Sequence, residues 1–452
     1  MKRVDATQGN LFKLIFAYSI PMILATIAQT LFTIADKAVL GNMAGSVAVA
    51  SIGATGTVTS LIINGAVGLS SGTSIVVARF WGQKDEEKVR TTIDTALITA
   101  VGVGLLVAIA GVSLAPTFLT LTNCPSACYE GAVVYMRIYI AAAPFTLLYN
   151  YGAAILRALG DTRRPLTYIL IAGVVNVVLN VILCLILPQK VAAVAIATAA
   201  SKIISSLLVL RRLCRMEDFT RVVLSKIRFH WESFRRILRF GIPISISNLV
   251  IPIAGLQITP AINSYGVYAT AGNSAAASIE GIVTAFAGGF NSATANFMAQ
   301  NIGAQNIDRV RKSFRYTFFL NLFITGTLGV LVYLTGRTWL HMILGADAVE
   351  AVGFGMTRLF YVCLFMGVAS INYSTGGAMN AFGYTSLSSI SNIVFTLGFR
   401  VFWMLCIYPL NPTFDTLMLC FTASWIAKGI AYAAFLTVVY IRYVKTGICK
   451  KM

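Results

Sequence analysis

Two acidic side chains in this 452-residue chain fall well inside long apolar runs, Asp36 and Glu280; the other acids sit at the ends of runs, in loops or in tails. Asp36 belongs to Q-T-L-F-T-I-A-D-K-A-V-L-G (Gln29–Gly41), one helical turn before the first run closes. A carboxylate at such depth costs about 2.5–3.5 kcal/mol on insertion scales, which makes an intramembrane acid a functional candidate by default. The adjacent Lys37 does not offset it, because neighbours in sequence do not share a helix face. An acid kept from water can take and release a proton near neutral pH, and each transfer changes the charge around which neighbouring helices pack. Glu280 could do the same, or could be a carboxyl hydrogen-bonded to a neighbouring span. Lys202, Arg400 and Lys428 are bases within apolar runs, each free to snorkel, to pair or to meet a substrate.

Other chemistries lack their residues. There is no phosphate-binding loop of Walker type, no nucleophile elbow and no metal-ligand spacing; the two histidines, His230 and His341, are far apart and no cysteine is grouped with them. The expectation is a protein that is not an enzyme, carries no cofactor or resident metal, and draws its energy from an ion gradient.

The elements that hold these residues are membrane spans. The sequence is 57% hydrophobic and 11% charged, its mean hydropathy is +0.79, and apolar runs of span length recur throughout, which excludes a soluble domain and a β-barrel. The net charge of +19 would suggest nucleic acid on a soluble chain. Here 27 of the 35 Lys and Arg residues fall in the tails and alternate loops, as the positive-inside rule requires; nucleic acid is therefore not an expected partner. Lys2 and Arg3 precede a full-length span and not a cleavable signal. The pattern predicts an all-α polytopic protein of twelve transmembrane helices with both termini cytoplasmic. Span 1 covers 13–40, span 5 covers 166–187, span 6 covers 191–210 and span 8 covers 270–298. Cys124 and Cys128 share a predicted outer loop, where a local disulfide is open to them. Cys184, Cys214, Cys363, Cys406, Cys420 and Cys449 read as packing residues.

The chain repeats. A-R-F-W-G-Q-K-D-E-E-K-V-R (78–90) aligns with A-Q-N-I-G-A-Q-N-I-D-R-V-R (299–311), R-A-L-G-D-T (157–162) with N-A-F-G-Y-T (380–385), and Pro21 with Pro243. This divides the chain into an N-lobe (1–210), a basic linker with an interfacial helix (211–240) and a C-lobe (241–452): two pseudo-symmetric six-helix bundles around a central cavity. Asp36 falls opposite Gln257 or Ile258, and Glu280 opposite Val58 or Thr59, so only the first half keeps a carboxylate in its opening span.

Over nearly its whole length the chain resembles the multidrug and toxic compound extrusion (MATE) transporters. The likeness rests on Q-x6-D-x4-G at Gln29–Gly41, the paired inner-loop motifs, R-A-L-G-D-T-R-R-P at Arg157–Pro165, F-G-I-P at Phe240–Pro243 and Q-N-I-G-A at Gln300–Ala304. The single first-lobe acid is more similar to the DinF-like branch than to the NorM-like one. The resemblance implies a cation-coupling site at Asp36, Asn176, Asn180 and Thr198. Asn180 stands where an Asp is common, so Asp36 is the one anion there. Because hard cations prefer several charged oxygens, this favours H+ coupling over Na+, with sodium at Asp36 as the alternative.

The resemblance further implies an antiporter that exports amphipathic, mostly cationic drugs or toxic compounds by alternating access, in a bacterial inner membrane, as a monomer whose partners are small organic cations and the lipid bilayer. The substrate-facing residues expected on this basis are Gln29, Tyr149, Tyr151, Glu280, Met298, Tyr373 and Met379, since aromatic and methionine side chains give such molecules an adaptable surface. The alternatives are a flippase for a lipid-linked saccharide, which a basic cavity would favour, and a membrane sensor.

Overall fold

In the computed structural model the described residues are 4–121, 124–345 and 347–446, all-helical with no strand among them. Lys2, Arg3 and Cys449 lie outside this range. Among the described residues nine helices are long and apolar enough to cross a bilayer, and eleven if each of two bent pairs counts as one span. The twelfth is α8 (Val267–Gly303), 37 residues long, whose polar residues, among them Asn273, Glu280, Asn291, Asn296 and Asn301, dilute its hydropathy. The twelve spans expected are therefore present.

The first two spans form one run, α1 (Leu11–Gly45) and α2 (46–83), broken at Gly45, whose φ of 79° is left-handed. Next come α3 (Glu86–Leu121), α4 (Ser126–Ala141 and Ala143–Ala158, bent by 46°), α5 (Arg163–Ile186) and α6 (Lys190–Cys214). The second half holds α7 (Trp231–Ser264), α8, α9 (Ile307–Leu344), α10 (Val349–Cys363 and Met366–Phe382, bent by 44°), α11 (Thr385–Leu410) and α12 (Phe414–Thr446).

The backbone repeats with the sequence. Gly45 (φ 79°) recurs 221 residues on as Gly266 (φ 92°), and Gly160 (φ 84°) recurs 223 residues on as Gly383 (φ 91°). These are conformations that glycine adopts without a steric penalty. Lys84 (φ 57°) and Gln305 (φ 56°) are a third pair, 221 apart, uncommon for residues with a Cβ. Immediately after them, Asp85 and Asn306 cap the following helices. Asp85 Oδ1 accepts from the Lys88 N–H at 3.0 Å and Asn306 Oδ1 from the Arg309 N–H at 3.0 Å. Turns, caps and bends thus recur even where the side chains do not.

The chain forms two units, one of residues 1–4 and 24–245, the other of 5–23 and 246–452. The division falls inside α1 and α7, near their prolines. In unit 1, Val58, Ala115, Leu119, Ala132, Met136 and Ile140 form a core cluster. Gly173 of α5 lets Phe32 of α1 lie against its backbone, since a Cβ there would come within 1.9 Å of the ring. In unit 2, Ile258, Ile262, Val283, Val362, Met366 and Leu417 belong to the corresponding core.

One expectation is corrected. The basic stretch holds no separate interfacial helix: between α6 and α7 there is one 3₁₀ turn, Leu224–Lys226. Its aromatics Phe229, Trp231 and Phe234 pack on one another, with centroids 5.2–6.4 Å apart, at the start of α7. Cys124 and Cys128 are free thiols; Cys128 is buried in the first turn of α4, and Cys124 precedes that turn.

Candidate functional site

Unit 1 gathers the residues implied for cation coupling. α5 presents Asn176 and Asn180 one turn apart on its buried face, α6 presents the buried Thr198, and α1 brings Asp36. Asn180 Nδ2 donates to Asp36 Oδ1 at 2.5 Å and lies 3.4 Å from Asn176 Oδ1; Asn176 Nδ2 reaches Thr198 Oγ1 at 3.5 Å. Thr198 Oγ1 donates to the Val194 carbonyl at 2.9 Å, a turn earlier in α6. Lys202, one turn beyond Thr198, is near enough for its charge to act on Asp36. Tyr135 and Tyr139 of α4 are in turn near enough to feel the Asp36 charge, and their rings stack with centroids 5.9 Å apart. These tyrosines were not foreseen; their i, i+4 spacing in an apolar span was the available signal.

The arrangement can hold one negative charge and release it. An ionised Asp36 accepts from an amide N–H and faces an ammonium; a protonated one makes neither interaction in the same way. No group of three or more His, Cys, Asp or Glu suited to a metal ion exists among the described residues. A sodium ion would find a single carboxylate, and the nearest amide turns its N–H toward that carboxylate.

Unit 2 contains a cavity of about 540 Å³, lined from α7, α8, α10, α11 and α12. Glu280 and Tyr373 line it. Glu280 is not free: Arg358 Nη2 and Nε donate to its Oε2 at 2.6 and 3.1 Å, while Arg358 Nη1 donates to Asn273 Oδ1 at 2.6 Å. Sequence reading passed over Arg358, although it lies in the tenth span. Arg400 and Lys428 also line the cavity. Lys428 Nζ donates to Asn392 Oδ1 at 2.7 Å.

Other expected substrate-facing residues lie elsewhere. Tyr149 is buried and its hydroxyl donates to the Pro165 carbonyl at 3.1 Å, tying α4 to the start of α5. Tyr151 and Met379 are fully buried core residues. Gln29 is exposed on α1 and lines neither cavity described here. Met298 borders a second unit-2 cavity of about 440 Å³, with Arg311, Phe314, Arg315 and Phe382. An aromatic or methionine in a span is more often core than lining, because apolar burial needs no ligand.

The family model described as MatE matches residues 21–182 and again residues 243–404. The chain belongs to the MatE family. The two matches are offset by 222 residues, within one residue of the spacing already seen in motifs, caps and glycines. Among relatives of this MatE chain, the probable multidrug resistance protein YpnP of Bacillus subtilis is 26% identical over 417 residues, covering 92% of this chain and 91% of the relative. DNA damage-inducible protein F of Escherichia coli is 24% identical over 251 residues, 55% of this chain and 54% of the relative, in keeping with the DinF-like likeness. The fold is shared with an outward-facing multidrug resistance MATE family transporter (TM-score 0.91, 22% identity, 99% of each chain). This MatE chain is thus a multi-pass membrane transporter and not an enzyme.

Proposed function

We propose that this MatE protein is a secondary multidrug exporter that moves amphipathic organic compounds out of the cell in exchange for protons, with Asp36 as the proton-carrying group. The observation behind this reading is the Asp36–Asn180–Asn176–Thr198 chain of polar contacts across three helices, with Lys202 beside it. Protonation removes the charge that holds the Asn180 N–H and the Lys202 ammonium toward α1. Packing among α1, α5 and α6 then changes, which supplies a two-state element that a gradient can bias. Proton coupling is favoured over sodium because Asp36 is the one carboxylate among these residues, where a hard cation prefers several charged oxygens. The two units alternate in access, the termini lie on the cytoplasmic side of a bacterial inner membrane, and the chain works as a monomer.

The test is efflux of ethidium from proteoliposomes, with a proton or a sodium gradient imposed separately, for wild type and Asp36→Asn. Export driven by protons and lost in the mutant is expected; full export by Asp36→Asn would sink the proposal, and sodium-driven export would overturn the choice of ion. A flippase for a lipid-linked saccharide is the second reading, favoured by Arg358, Arg400 and Lys428 in the unit-2 cavity. Reorientation of a labelled polyprenyl phosphate-sugar without ethidium export would put it first.

A further inference from the structure

We infer that the unit-2 cavity is an anion-binding cargo site, which takes amphipathic compounds bearing a carboxylate or phosphate group. Three cationic side chains line it, Arg358, Arg400 and Lys428, against one acid, Glu280. That acid is already spent: its Oε2 takes two donors from Arg358, and Asn273 takes a third. A free cationic cargo therefore meets no uncommitted carboxylate there.

Arg400 carries the argument. Its residue is 5% exposed, its Nε is buried without a hydrogen-bond partner, and its guanidinium lies 4.3 Å from the centroid of the Phe421 ring. A buried guanidinium stacked on an aromatic face, with unused N–H groups at a cavity wall, is built for a planar anion with an apolar neighbour. The local helix is built for display: Phe399–Phe402 is one α-turn held between two π-helical stretches, Ile393–Gly398 and Trp403–Ile407, a distortion that recurs at functional sites. Lys428 adds a second basic group without an acidic partner: its Nζ donates to the neutral amide of Asn392, which is fixed in turn by its own donation to Ser247, and lies 5.2 Å from the centroid of the Tyr432 ring.

The remaining wall suits the rest of such a molecule. Asn372 Oδ1 and Asn380 Oδ1 are buried acceptors without partners and border the same space; they call for hydroxyl or amide donors on the ligand. Phe421, Trp425 and Tyr432 supply ring faces. A volume of about 540 Å³ is that of a site for one drug-sized molecule. The anionic group could belong to a soluble compound or to a lipid headgroup; both present the same charge to Arg400.

This inference rests on the exporter reading only in calling the ligand cargo, and its test needs no gradient. The full chain in phosphatidylcholine nanodiscs is titrated with flavin mononucleotide and with riboflavin, which share one fluorescent ring and differ by a phosphate, and binding is read by anisotropy. Flavin mononucleotide should bind about tenfold tighter or more, the scale of charge-assisted hydrogen bonds. Arg400→Gln should bring the two ligands within about twofold, Arg400→Lys should keep most of the preference, Lys428→Gln should lower it, and the exposed Lys312→Gln should leave it unchanged. Equal affinities in the wild-type chain, no binding of flavin mononucleotide, or an undiminished preference in folded Arg400→Gln would each overturn the inference; the wild-type comparison stands even if that variant does not fold. In discs containing phosphatidylglycerol, native mass spectrometry distinguishes the sources. Lipid retained by wild type and lost in Arg400→Gln would support the anion site with the bilayer as its supplier. Flavin mononucleotide bound by a chain that exports nothing would refute the exporter and keep the site; ethidium export by a chain blind to flavin mononucleotide would do the reverse.

Discussion

Unit 1 holds its intramembrane acid, Asp36, among amides and a hydroxyl, with a lysine near but not locked to it; unit 2 holds Glu280 clamped by an arginine in a cavity with two further cations. The frames beneath them match: left-handed turns at Gly45 and Gly266, capped helix starts at Asp85 and Asn306, and bends of 46° and 44° in α4 and α10. The repeat has kept what the backbone requires and released what the buried polar residues do. An acid hydrogen-bonded to a neutral amide can gain and lose a proton without breaking a bonded ion pair. An acid bound to a guanidinium fixes a cation in place.

The sharpest way to break this comparison is to neutralise each acid in turn. Glu280→Gln strands a buried Arg358 and should cost about 3–5 kcal/mol, read as a lowered unfolding temperature in detergent, with Glu280→Gln/Arg358→Gln recovering most of it. Asp36→Asn keeps an acceptor for the Asn180 N–H and should cost within about 1 kcal/mol. Equal losses would mean that the two acids are not differently partnered. Next in size, Gly173→Ala drives a Cβ into the Phe32 ring of α1 and should destabilise unit 1 by about 1–3 kcal/mol, partly relieved by Phe32→Ala; an unchanged melt would show that α1 does not need that close approach. Converting the site is a functional counterpart: Asn180→Asp supplies a second carboxylate, and the same ethidium assay should then acquire a sodium response that wild type lacks.

The smallest effect concerns the paired caps. Hydrogen bonds from Lys88 hold Asp85 below its ordinary value of 3.8. Its stabilisation is therefore complete above that value and fades as the pH falls through the depressed one. Asp85→Ala should cost about 1 kcal/mol at neutral pH and progressively less in acid, whereas Asn306→Ala should cost a similar amount at every pH because an amide does not titrate. A pH-independent loss at Asp85 would show that its carboxylate charge plays no part in the cap.

The twelve spans and the repeat were legible because apolar run length and loop charge are properties of single residues read along a line. Asp36 was legible for the same reason, its cost in lipid being independent of its neighbours. Asn176, Asn180 and Thr198 became readable only through family likeness, since three neutral residues on two spans carry no signal until the helices meet. Arg358 was missed although it sits in an apolar run: its meaning depends on Glu280, 78 residues away. Tyr149, Tyr151 and Met379 were assigned to substrate from type alone, and type does not say which side of a helix faces its own core. The π-helical stretches around Arg400 leave no mark in composition.

The polarity of α8 bears on how the protein is made. With Asn273, Glu280 and Asn291 in its length, α8 alone would be a poor guest in hydrocarbon, and the arginine that satisfies its acid is synthesised only after α9 has followed it. Its stable integration then waits for later helices, and a ribosome stalled between α8 and α10 would expose a span not yet committed to the bilayer. The clamp that shapes the cavity in the finished protein thus forms only once α10 has been made.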